Sequence, residues 1–86
     1  MDSDRVVYAV RKNAKEEIRF TFREYQERAY LDIRLWFQPA KGGEYRPTIK
    51  GIRLGLEFIP ELRKALERAG REAAELAGHS TVGSVK

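Results

Sequence analysis

Eighty-six residues with no cysteine, 35% charged residues and a formal net charge of +4 describe one small domain without disulfides or thiolate metal ligands to brace it. A chain this short buries only about two-thirds of the surface its unfolded form exposes, so association with a second copy is the expected source of further support. The apolar run Val6 to Val10 is too brief for the hydrophobic region of a signal peptide or for a membrane span. The expectation is an intracellular protein, cytoplasmic, nucleoid-associated or nuclear, with no membrane partner.

The charge is unevenly placed. Between Arg5 and Arg53 there are twelve basic and six acidic residues, whereas from Glu57 onward there are five of each. The basic excess thus lies in the first two-thirds of the chain, where it offers a surface attractive to phosphates.

In chain order, Val6 to Val10 reads as a first strand and Lys12 to Glu17 as a polar connection. Ile18, Phe20 and Phe22 alternate with Arg19, Thr21 and Arg23, which marks a second strand with one apolar and one basic face. Phe20 and Phe22 belong to the core on this pattern, and Glu24 to Glu27 form a turn. The third strand, Arg28 to Phe37, is the most informative. Ala29, Leu31, Ile33, Leu35 and Phe37 leave one side of it, and Arg28, Tyr30, Asp32, Arg34 and Trp36 leave the other. One face suits a core; the other interleaves guanidinium groups with flat rings, a combination that grips an unpaired nucleic-acid strand by stacking and phosphate contact. Asp32, set among arginines, is expected to organise them by charge pairing.

Gln38 to Gly43 is dense in turn formers and predicts a hairpin loop. Tyr45 to Leu54 follows as a fourth strand, interrupted by Pro47 and Gly51, which implies an edge position or a bulge with a bend. The period then changes. Ile59, Leu62, Leu66, Ala69 and Ala73 recur at three and four residues, the stripe of an amphipathic helix running from near Glu57 to about Ala77, with Pro60 in its first turn and Gly78 as its stop. The fold class is α+β: a four-stranded antiparallel sheet and one C-terminal helix, a single domain over residues 1–77 with a flexible tail over 78–86. The helix stripe, with Ile59, Leu62, Leu66 and Ala69 at its centre, is the expected interface of a homodimer.

The string LDIRLWF, a Gly-rich hairpin ending in Glu44, then RPTIKGIRL and a helix, resembles the positive cofactor 4 family of transcriptional coactivators. The resemblance runs from about Ile18 to Leu66. It implies a curved sheet, a dimer formed through the helices, and single-stranded DNA bound on the sheet. Carried over by position, it implies that Tyr25 and Phe37 stack on bases while Arg28, Arg34 and Lys50 contact the phosphate backbone. Strict alternation instead pairs Trp36 with Arg34 and sends Phe37 inward, so both rings are candidates, and a bulge or sharp twist near the strand end would reconcile the two readings. Gln26 and Ile49 stand where the family commonly carries basic residues, Leu35 where an acid is common, and Leu56 where the helix entry has proline; Arg23, Arg46 and Arg53 are candidates to compensate.

Nothing in the chain points to catalysis, a cofactor or a metal. His79 is the sole histidine, Gly42 and Gly43 lack the Lys-Ser or Lys-Thr continuation of a phosphate-binding loop, and Glu16 and Glu17, being adjacent, diverge on a strand. The expected function is largely sequence-independent binding of single-stranded DNA by a dimer, in transcription regulation or in the handling of melted DNA. The alternatives are a protein-interaction module that docks on the transcription machinery and a single-stranded RNA binder.

Overall fold

The computed structural model describes residues 4–79. Four strands, β1 (Arg5–Arg11), β2 (Glu16–Tyr25), β3 (Arg28–Phe37) and β4 (Arg46–Gly55), lead through a single 3-10 turn, Leu56–Phe58, into one helix, α1 (Ile59–His79). The sheet is antiparallel with spatial order β1-β2-β3-β4, so each connection is a hairpin and β1 and β4 are the edges. This is the expected curved four-stranded sheet with a C-terminal helix.

Each hairpin has its own local cause. Between β1 and β2 the Asn13 side chain closes the turn: its Oδ1 accepts from the amides of Lys15 and Glu16, both at 2.9 Å. Between β2 and β3 only Gln26 and Glu27 turn the chain, with φ of 52° and 65°. Positive φ at both places is the pattern of a type I′ hairpin turn, and here both residues carry a Cβ and bear its steric cost. The tightness of this turn is why β2 continues to Tyr25, beyond the expected end. In the β3–β4 loop Gly42 and Gly43 take φ of 87° and 96°, and the Gly42 amide donates to the Pro39 carbonyl at 2.8 Å.

Register assigns the faces. Ile18, Phe20 and Phe22 pair with Leu35, Ile33 and Leu31, and Tyr8 and Val10 join them from β1, as do Ile52 and Leu54 from β4. Glu17, Arg19, Thr21, Arg23 and Tyr25 pair with Trp36, Arg34, Asp32, Tyr30 and Arg28 on the opposite side. Phe20 and Phe22 are half-buried, and Ala29, expected to share the core, is exposed at the turn end of β3.

The disruption expected from Pro47 and Gly51 is a bulge in the edge strand β4. Arg34 pairs with Gly51 and Trp36 with Pro47, so Thr48, Ile49 and Lys50 together stand opposite Leu35. Ile49 is 92% exposed as a result. At the bulge's edge the backbones come very close: a Cβ on Gly51 would lie 2.7 Å from the Ile33 carbonyl oxygen and 2.9 Å from Arg34 Cα.

α1 runs through Gly70 and Gly78 to His79, past the expected stop at Ala77. Neither glycine has positive φ, so Gly78 continues the helix instead of capping it; the rest of the expected tail lies outside the described residues. Ile59 meets the sheet, lining an apolar cleft with Val7, Tyr8, Phe20, Phe22 and Leu31. From Arg63 to Gly78 every residue is exposed, including Leu66 at 58% and Leu76 at 69%.

The contact at Gly51 gives a direct test. Gly51→Ala pushes β4 off β3 and lowers unfolding stability by about 1–3 kcal/mol, the usual cost of overpacking, measured by urea denaturation.

Candidate nucleic-acid interface

The most buried side chain among the described residues is charged: Asp32 is 1% exposed, in the middle of the polar face. A carboxylate there requires cations, and Arg34 supplies them through two parallel bonds, Nη2 to Oδ1 at 2.9 Å and Nε to Oδ2 at 3.1 Å. Asp32 in turn raises the arginine's pKa above its ordinary value. The third arm of Arg34, Nη1, donates to the Thr48 carbonyl at 2.9 Å, tying the clamp to the bulge. Thr48 Oγ1 donates to the Leu35 carbonyl at 2.9 Å and accepts from the Lys50 amide at 3.1 Å, which fixes where Lys50 leaves the strand. Arg53 approaches the same carboxylate at 3.8 Å and lies over the Tyr30 ring, 5.4 Å from its centroid.

Arg34 was expected to meet the phosphate backbone directly. With a 15% exposed side chain held by Asp32 and Thr48, it stands as a strut that positions its neighbours. Trp36 does share the face with Arg34, as alternation predicts, but its ring is covered: the Arg19 guanidinium lies 4.3 Å from the ring centroid and 5.3 Å from that of Tyr45. Glu17 holds Arg19 there at 2.6 Å. Arg23 is paired with Asp4 at 3.1 Å. At the far end of this face Tyr25, 65% exposed, and the exposed Arg28 share a cleft with Tyr30 and Glu57.

Phe37, Arg46 and Lys50 lie elsewhere. The β2–β3 register is unbroken to its end, where Phe37 faces Glu16, and on the other side Arg46. The bulge lies in β4, so it moves Lys50 without rotating Phe37 onto the polar face. The single surface expected for all the rings and cations is therefore two zones. Phe37 is nevertheless 38% exposed, because among the described residues no element covers that end of the apolar face. It lines a cleft with Lys15, Glu16, Thr48 and Lys50, and an adjoining cleft brings Lys12 beside Lys50. Glu16 accepts from Asn13 Nδ2 at 2.8 Å and from Lys12 Nζ at 3.2 Å; these bonds, with Lys50 through space, hold its carboxyl below the ordinary pKa. Arg28, Arg46, Lys15 and Lys50 make no ion pair among the described residues.

The family model described as Transcriptional Coactivator p15 (PC4) matches residues 12–65, more than half of the chain. The chain belongs to this family. It is accordingly a DNA-binding domain of transcription-coactivator type. A crystal structure of a PC4 homologue from Burkholderia pseudomallei, in an orthorhombic form, superposes with a TM-score of 0.75 at 33% identity, covering 84% of this chain and 96% of the homologue. The tetragonal form of the same homologue gives 0.72 at 31% identity, covering 79% and 98%. No curated protein matches the chain.

The PC4 match begins at Lys12, inside the loop that sequence reasoning treated only as a connection. Lys12 and Lys15 were missed because they leave a turn, where alternation gives no face. Arg19 was legible as part of the basic side of β2, but its place on Trp36 depends on cross-strand neighbours. Among the described residues there is no metal-type cluster and no helix long and apolar enough to cross a membrane.

Removing one partner of a buried ion pair leaves an uncompensated charge. Arg34→Ala is expected to lower stability by about 3–5 kcal/mol in chemical denaturation, far more than truncation of the exposed Arg28, which changes it by less than about 0.5 kcal/mol.

Proposed function

We propose that this protein binds single-stranded DNA as a homodimer, with little dependence on sequence, in transcription regulation or in the handling of melted DNA. The observation that carries the reading is the pairing of exposed rings with cations that make no ion pair among the described residues, at both ends of the β2–β3 ribbon: Tyr25 with Arg28, and Phe37 with Lys50 and Lys15. Rings supply stacking that any base satisfies, and the cations neutralise the phosphates between stacked bases. The two pairs lie nine residue steps apart along β3, about 30 Å at the usual rise, and on opposite faces of the sheet, so a bound strand meets them as two separate contact zones several nucleotides apart. Arg34 and Trp36 position this surface, and Arg23, Arg46 and Arg53 provide the surrounding positive field.

Fluorescence anisotropy with single-stranded DNA, duplex DNA and single-stranded RNA at two salt concentrations tests the reading. Single-stranded DNA is expected to bind best. Tyr25→Ala and Phe37→Ala each weaken it by about 1–3 kcal/mol without altering the salt slope, whereas Arg28→Ala and Lys50→Ala each flatten the log–log slope by about 0.7. Preference for RNA would replace the DNA reading, and absence of binding to any of the three would leave the protein-docking alternative.

The dimer rests on the uncovered helix stripe. Ile59, Leu62, Leu66, Ala69, Ala73 and Leu76 repeat at three and four residues, the seam of two packed helices, and in the single chain its outer part faces water. Sedimentation at low micromolar concentration is expected to give twice the mass of the chain, and Leu66→Arg to give one; a wild-type monomer would remove the helix interface.

A further inference from the structure

We propose that Glu16 is a built-in competitor for DNA phosphate, its carboxylate filling the seat that Lys12, Asn13 and Lys50 form beside the Phe37 ring. The inference rests on the proposed function and names a residue that limits it. Glu16 begins β2 directly opposite Phe37, so its carboxylate stands next to the most exposed ring of that zone. Its Oε1 takes one bond from the Lys12 ammonium at 3.2 Å and one from the Asn13 amide at 2.8 Å, the donors a phosphate oxygen would seek. The acid is not needed to close the turn: Asn13 Oδ1 holds the Lys15 and Glu16 amides, and the Lys12 amide bonds the Glu16 carbonyl at 2.9 Å. The neighbouring acid, Glu17, lies on the other face, where it holds Arg19 over Trp36.

A carboxylate attached to the site acts at high effective concentration, so a lone phosphate displaces it poorly. A polymer that also stacks on Phe37 and Tyr25 displaces it readily, because several contacts form together. The competitor therefore favours long unpaired strands over small anions and keeps affinity moderate.

The test is anisotropy with a single-stranded DNA oligonucleotide across a salt series, comparing wild type with Glu16→Gln. The amide keeps the size of the side chain and removes its charge, so binding is expected to tighten about two- to fivefold, the worth of an exposed ion pair, with a slope steeper by about 0.7 as another phosphate contact opens. Glu61→Gln, which loses a carboxylate 3.6 Å from Lys64 on α1, changes net charge equally and is expected to leave the slope unchanged. In a Lys12→Gln, Lys50→Gln background the gain from Glu16→Gln disappears. Equal behaviour of Glu16→Gln and wild type, or an equal gain from Glu61→Gln, overturns the inference while leaving DNA binding intact; failure of wild type to bind overturns the proposed function and this inference with it.

Discussion

The structure is organised by one buried ion pair. Asp32 is sealed at the centre of the polar face, and an isolated carboxylate there would be strongly disfavoured, so the position of Arg34 is dictated: two bonds to Asp32, with the remaining arm toward the β4 backbone. That arm reaches the Thr48 carbonyl because β4 bulges there, and the bulge exists where Gly51 lets the backbones close on each other. Clamp, bulge and glycine are thus one device. Its product is Lys50, carried by the bulge to the side of Phe37.

Around this device the charged and aromatic groups divide by what holds them. Arg19, Arg23, Arg34 and Arg53 are engaged with carboxylates or rings, so their charge shapes the field of the sheet while their donors are partly used. Among the described residues Arg28, Lys15 and Lys50 are not so engaged, and each stands near an exposed ring. A polyanion gains most where it replaces water on a cation and little where it must first break an ion pair, so the free groups at the ends of the ribbon carry the recognition.

Much of this was legible in the chain because strand alternation is rigid. The composition of both faces of β3, the edge character of β4 from Pro47 and Gly51, the loop glycines and the helix stripe all follow from local rules that the tertiary structure did not override. The order of LDIRLWF, hairpin and RPTIKGIRL was specific enough to indicate the PC4 family, and residues 12–65 match its model. What the chain concealed was set by cross-strand neighbours. Asp32 was legible as an organiser of arginines, but its choice of Arg34 and Arg53 over Arg28 depends on register. Phe37 sits on the apolar side yet stays accessible because the helix leaves that end open, and Lys12 and Lys15 project from a turn whose direction alternation does not give. Gly78 misled because a glycine stops a helix only when it takes positive φ, which it does not do here.

The measurement that bears most directly on the two-zone surface is NMR chemical-shift mapping of the labelled protein on addition of a short single-stranded oligonucleotide. Shifts are expected to concentrate at Tyr25, Arg28, Lys12, Glu16, Phe37 and Lys50, with Asp32 and Arg34 little moved and the helix stripe from Leu62 to Leu76 unaffected. Shifts confined to α1, or centred on Arg19 and Trp36 while Tyr25 and Phe37 stay still, would contradict it.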